Sequence, residues 1–167
     1  MLKTVRSVLL MNEIYWQQMT PQGYQEIQQQ IAELQDQRPA KIAQLKAARA
    51  LGDLSENTEY STAKRELRHL ESRLRYLNKL LTYAKVVTPA NNGKVGLGST
   101  VTLEFTDDHS QVSYQLVGKQ QADVNRHLLS FDSPLGKALM HQPAGTTVSV
   151  TAPAGNYQVK ILSIQTH

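Results

Sequence analysis

Gly52-Asp53-Leu54-Ser55-Glu56-Asn57-Thr58-Glu59-Tyr60 is a polar, acid-bearing stretch between two long segments of helical periodicity. On its N-terminal side Tyr24, Ile27, Ile31 and Leu34 recur at alternating spacings of three and four residues. On its C-terminal side Tyr60, Ala63, Leu67, Leu70, Leu74, Leu77, Leu81 and Ala84 keep the same alternation. That is a heptad seam, the pattern with which a helix buries one stripe against one partner helix. Two such helices joined by a short turn fold back antiparallel. At a rise of ~1.5 Å per residue, helices of roughly 27 residues hold the turn about 40 Å from the base. Residues 19–88 are therefore expected to form an antiparallel α-helical coiled-coil hairpin, with an acidic tip near residues 52–59.

Within that arm, Thr20-Pro21 reads as a helix start, with Thr20 as N-cap and Pro21 at the first helical position. Pro39 is expected to interrupt the first helix, the seam resuming at Ile42 and Leu45 after a shifted interval. Ala47, Ala48 and Ala50 are expected to narrow the arm just before its tip. The second helix is basic outside its seam, through Lys64, Arg65, Arg68, Arg73, Arg75 and Lys79, with Glu66 and Glu71 offsetting part of the charge. Such a run is either the solvated flank of a coiled coil or a face suited to a channel or a phosphate chain. It is read as offering no aromatic stacking platform for single-stranded nucleic acid, and at most a weak contact with DNA or RNA.

The tip also has two readings. Asp53-Leu54-Ser55-Glu56 fits the spacing of a capping box, with Asp53 as N-cap and Glu56 reaching back. Alternatively, Asp53 and Glu56 are hard oxygen ligands for Mg²⁺, which commonly takes a pair of carboxylates and leaves its other positions to water and phosphate. Two acids on an exposed tip need a partner to complete such a site, so no metal is expected on the protein by itself.

Composition bounds the rest. A chain of 167 residues with 40% hydrophobic and 19% charged residues suits one domain or two small ones. The absence of Cys excludes disulfides, thiolate chemistry and Cys-based zinc sites, and fits a cytoplasmic protein. A net charge of +4 permits a nucleoprotein partner without requiring one. Residues 1–18 read as an N-terminal extension. Its apolar run Val8-Leu9-Leu10-Met11 stops at Asn12-Glu13, too short for a signal peptide, and no segment is long enough for a membrane span.

Pro89-Ala90-Asn91-Asn92-Gly93 breaks the helical pattern and opens a second domain over residues 89–167. There, 100–105, 111–117, 147–151 and 158–164 read as strands, and Ser133-Pro134 starts a short helix through about Met140. The overall class is α+β in two domains. None of His69, His109, His127, His141 and His167 forms a helix-borne ligand pair, and no nucleophile elbow or phosphate loop occurs. An independent enzyme is not expected.

The stretch Ala48-Arg49-Ala50-Leu51-Gly52-Asp53-Leu54-Ser55-Glu56-Asn57-Thr58-Glu59-Tyr60, followed by Ala63-Lys64, resembles the signature of the GreA/GreB bacterial transcript cleavage factors. Met19-Thr20-Pro21-Gln22-Gly23, Arg38-Pro39, Asn92-Gly93-Lys94-Val95 and Ser133-Pro134-Leu135-Gly136-Lys137-Ala138-Leu139 extend the resemblance from Met19 to the C-terminus. It implies an FKBP-like second domain that docks to bacterial RNA polymerase. It also implies a coiled coil that enters the secondary channel of a backtracked, arrested enzyme. Asp53 and Glu56 would then help hold a Mg²⁺ shared with the polymerase, which cleaves the nascent RNA 3′ end. Ser55 and Asn57 would support the tip through hydrogen bonds. The factor would stimulate cleavage without being a nuclease, and act as a monomer with no membrane contact. The alternatives are a non-cleaving secondary-channel regulator and an FKBP-like isomerase with a coiled-coil handle. This chain departs from the family in carrying Gln121 where Glu is common. Its segments are partly GreA-like and partly GreB-like, which leaves the length of released fragment open.

Overall fold

The heptad spacing closes into two helices, α1 (Pro21–Arg49) and α2 (Thr58–Thr82), in a computed structural model that describes residues 17–52 and 57–166. The expected extension falls outside the described residues up to residue 16. Thr20 caps α1, its Oγ1 accepting from the Gly23 N–H at 3.1 Å. Pro21 follows at the first helical position, where a missing N–H removes no helical bond. On α2 the stripe is as spaced: Ala63, Leu70 and Leu77 are buried, while Tyr60, Leu67, Leu74 and Leu81 are half-buried. Cross-helix bonds join Gln30 to Arg73, Arg38 to Glu71, Lys41 to Glu66 and Ala48 to Asn57. As the first partner's number rises the second falls, so the helices run antiparallel.

The expected interruption at Arg38-Pro39 is not found. α1 continues through Pro39, and Ile42, expected in the seam, is 40% exposed. The three-and-four alternation instead runs on from Leu34 through Arg38, Lys41 and Leu45 to the buried Ala48. A search for apolar residues misses this, because two seam positions carry long basic side chains. Their charged heads reach acids on α2.

The hairpin ends earlier than its pattern does. Tyr83 closes α2, and Ala84, read as the last seam residue, begins strand β2 (Ala84–Val86). β2 pairs in parallel with β1 (Gln17–Met19), so Gln17 and Gln18 belong to a strand rather than to an extension. Residues Tyr24–Tyr83 form one compact unit; the described residues 17–23 and 84–166 form the other. The second unit therefore takes residues 84–88, which the sequence assigned to the hairpin.

That unit is built on β3 (Thr100–Phe105), β4 (Gln111–Val117), β5 (Leu128–Ser130), β6 (Thr147–Ala152) and β7 (Gly155–Gln165), with a short helix α3 (Pro134–Leu139). The sheet order is β5-β4-β3-β7-β6, antiparallel except for the β4–β5 pair. Period-two alternation puts Val101 and Leu103, Val148 and Val150, and Val159 and Ile161 into one core, which Leu135 and Leu139 of α3 share. A bulge opposite Thr102 and Leu103 shifts the register of β7, which lets Ile164 pack on the same core as Ile161. Ser133 caps α3 by accepting from the Gly136 N–H at 3.0 Å. Among the described residues, no helix is long and apolar enough to cross a membrane.

Candidate functional site

The tip of the hairpin is assembled from both helix ends. α1 tightens as it stops: the Ala50 N–H is shared between the Lys46 and Ala47 carbonyls, and Leu51 donates to Ala48 O at 3.2 Å. Gly52 then takes a φ of +114°, a conformation that a side chain would strain. Lys46 and Arg49 lie in the last turn of α1 and Glu59 in the first turn of α2, each sign matched to its end of the helix dipole.

Asn57 joins the two ends. Its Oδ1 accepts from the Tyr60 N–H at 3.0 Å, which caps α2. Its Nδ2 donates to the Ala48 carbonyl of α1 at 2.8 Å, a second bond to an oxygen that also accepts from the Leu51 N–H at the frayed helix end. One side chain thus satisfies a donor of one helix and an acceptor of the other. The cap of α2 is Asn57 and not Asp53, so the capping-box assignment of Asp53 does not hold. Asn57-Thr58-Glu59-Tyr60 offers the same spacing, and only Asn has the second, donating atom that reaches Ala48. Asp53, Ser55 and Glu56 lie outside the described residues. The described residues beside them, Leu51, Gly52, Thr58 and Glu59, are all exposed. The donor chemistry of the sequence there suits a hard cation: two carboxylates within four residues.

Just below the turn, small residues do less narrowing than expected. Ala48 and Ala63 are buried, whereas Ala47 and Ala50 are exposed. Ala47, Leu51 and Thr62 instead line an open groove of about 530 Å³. Leu51 stands 68% exposed there.

On α2 the residues Lys64, Arg65, Arg68, Arg73, Arg75 and Lys79 are exposed, as their spacing outside the seam requires. One expectation is corrected: an aromatic residue does lie among these charges. Tyr76 is 43% exposed, and the Arg73 guanidinium sits 5.4 Å from its ring centroid. Of the described histidines, His109, His127 and His141 occupy left-handed backbone positions, which His tolerates better than most residues. His109 also pairs with Glu104 at 3.0 Å, and the His127 ring packs 5.9 Å from that of Tyr114.

Gln121 carries a constellation that the sequence did not reveal. Its Oε1 accepts from the Thr20 N–H at 2.9 Å and its Nε2 donates to Thr20 Oγ1 at 2.6 Å. Gly118 N–H also donates to that oxygen, at 3.4 Å. Thr20 is 4% exposed, so these bonds satisfy a buried N-cap. A Cβ on Gly23 would collide with the Gln121 amide, and one on Gly118 with the Gln18 carbonyl. The glycine of Met19-Thr20-Pro21-Gln22-Gly23 was the legible signal. It marks a close approach whose partner lies a hundred residues away.

Two family models span nearly all the described chain. Residues 17–86 match "Transcription elongation factor, N-terminal" and residues 90–166 match "Transcription elongation factor, GreA/GreB, C-term". The chain is 54% identical over 147 residues to Transcription elongation factor GreA 1 of Lactiplantibacillus plantarum, covering 88% of this chain and 94% of that one. It is 39% identical over 149 residues to Transcription elongation factor GreA of Paracoccus denitrificans, covering 88% and 96%. A structure of the transcription factor Gfh1 aligns over 90% of this chain and 97% of its own, at 26% identity and a TM-score of 0.43. The two family models and the GreA relatives settle the assignment: the chain belongs to the GreA/GreB family of transcription elongation factors.

Proposed function

We propose that this protein stimulates cleavage of the nascent RNA 3′ end by a backtracked bacterial RNA polymerase. In this reading the hairpin enters the secondary channel and delivers Asp53 and Glu56 to the enzyme's active site. The observation that carries it is the Asn57 bridge, which fixes both helix ends around the acidic stretch. A turn pinned at its root loses less entropy when its side chains engage a partner. Asp53 and Glu56 are the residues that would hold a Mg²⁺ jointly with the polymerase. When bound, that ion supplies water activation and charge stabilisation for phosphodiester hydrolysis. The strand-rich unit supplies docking, and the exposed basic face of α2 suits the electrostatics of a channel that carries RNA.

Backtracked complexes carrying 3′-labelled RNA and Mg²⁺ test this directly. Addition of the protein is expected to release short 3′ fragments that are absent without polymerase. Asp53→Ala and Glu56→Ala are expected to abolish release while polymerase binding persists. Binding without release by the unaltered protein would assign it as a non-cleaving channel regulator. Release retained in both single variants would remove the metal-holding role.

A further inference from the structure

The arm carries a second pattern besides its apolar stripe. Between Leu34 and Leu45 two seam positions of α1 are held by Arg38 and Lys41. Lys41 Nζ lies 2.6 Å from Glu66 Oε2, and Arg38 Nη2 lies 3.1 Å from Glu71 Oε1. The four side chains are 30–49% exposed. Ion pairs so open to water add little to stability. Apolar side chains at the same two positions would bury more surface, so stability does not account for the charges.

We propose that these two pairs set the register of the hairpin and that Arg38, Lys41, Glu66 and Glu71 are positioning residues. Leucines repeat every seven residues along α2, at Leu67, Leu74 and Leu81 and at Leu70 and Leu77. Sliding α1 by one heptad therefore presents it with nearly equivalent apolar surface. The charges break that equivalence. A slip toward the C-terminus of α2 sets Lys41 against Arg73 and Arg38 against Asn78. A slip the other way leaves Lys41 facing Glu59 but sets Arg38 against Lys64. Only the observed register satisfies both cations. A charged residue inside a seam is a well-attested means of fixing alignment at some cost in stability.

Register matters at the far end of the arm. In an antiparallel pair, a slip of one heptad recentres the turn by half a heptad. The midpoint of each ion pair along the chain falls between Asp53 and Ser55. The pairs therefore select the acidic stretch, rather than its neighbours, as the centre of the turn. The register assignment needs no polymerase; its consequence for cleavage rests on the reading above.

The test uses the whole chain. It contains no Cys, so nitroxide labels can be placed uniquely at Gln37→Cys and Ser72→Cys, both exposed positions on opposite helices. A one-heptad slip displaces the labels along the axis by about 10 Å. Pulsed electron–electron resonance is expected to give a single distance in the parent. Lys41→Glu faces Glu66 in the observed register and Arg73 in the slipped one, so a second distance should appear. Adding Glu66→Lys should restore the first. Arg38→Leu with Lys41→Leu keeps the helices paired but should split or broaden the distribution while helix content holds. If Lys41→Glu unfolds the arm, the leucine variant decides. A single parental distance in the leucine variant, with helix content intact, would falsify the proposal and leave register to the turn alone.

Discussion

Asn57 illustrates what one amide can do that a carboxylate cannot. An Asp at this position would keep the acceptor for the Tyr60 N–H but lose the donor to Ala48 O. Asn57→Ala is expected to destabilise the arm by about 1 kcal/mol, the usual loss for an N-cap. Asn57→Asp should recover the capping part and not the bridge to α1. Denaturant titration of the two variants separates these contributions. In the cleavage assay, Asn57→Asp should fall below the parent although α2 remains capped. Gln121 works by the same logic, since its two amide atoms bind the N–H and the hydroxyl of one residue. Neither role could be read from spacing. The spacing offers two Asx caps within the tip, at Asp53 and Asn57, and the start of α2 at Thr58 makes Asn57 the cap.

At the scale of elements, the Lys41–Glu66 pair gives the arm a small pH dependence, small because the pair is open to water. The hydrogen bond and charge of Lys41 hold the Glu66 carboxyl below the usual carboxylate range. A depressed folded value means that the stabilisation is complete above the ordinary value, about 4.3. It is lost as pH falls through the lower folded value. Melting of the helices followed by circular dichroism should therefore weaken as pH drops through that window. Glu66→Gln should remove its share of the slope. The elements themselves were unevenly legible. β3, β4, β6, β7 and α3 declared themselves by alternation or by Ser-Pro capping, and α2 by its leucines. β1, β2 and β5 are each three residues long, too short for a period to register, and they exist because a partner strand supplies the hydrogen bonds. The continuity of α1 was hidden because its pattern passes through two charges beside a proline.

For the whole molecule, the strand-rich unit is made from two stretches of chain with the helical unit inserted between them. Its first stretch is short, and Met19, which is 1% exposed, lies at its centre of burial. A chain begun at Met19 would lack Gln17 and Gln18 and leave Ala84 and Lys85 without partners. Such a truncation is expected to lower the stability of the strand-rich unit by about 1 kcal/mol per hydrogen bond lost. A chain begun at Met11 should retain the ladder. Comparing the melting of the two truncations with that of the full chain checks this.

The bonds from Thr20 to Gln121 span 101 residues of chain. On the ribosome, elongation at about 5–20 residues per second separates these two residues by roughly 5–20 seconds. The helical arm, whose pairing partners all lie within Tyr24–Tyr83, is fully synthesised during that interval. Its root is not: the buried N–H that begins the first helix has no acceptor until the glutamine emerges. The nascent protein thus completes both helices before the side chain that satisfies the first helix's N-cap, and one of the earliest described residues made waits about a hundred residues for its partner.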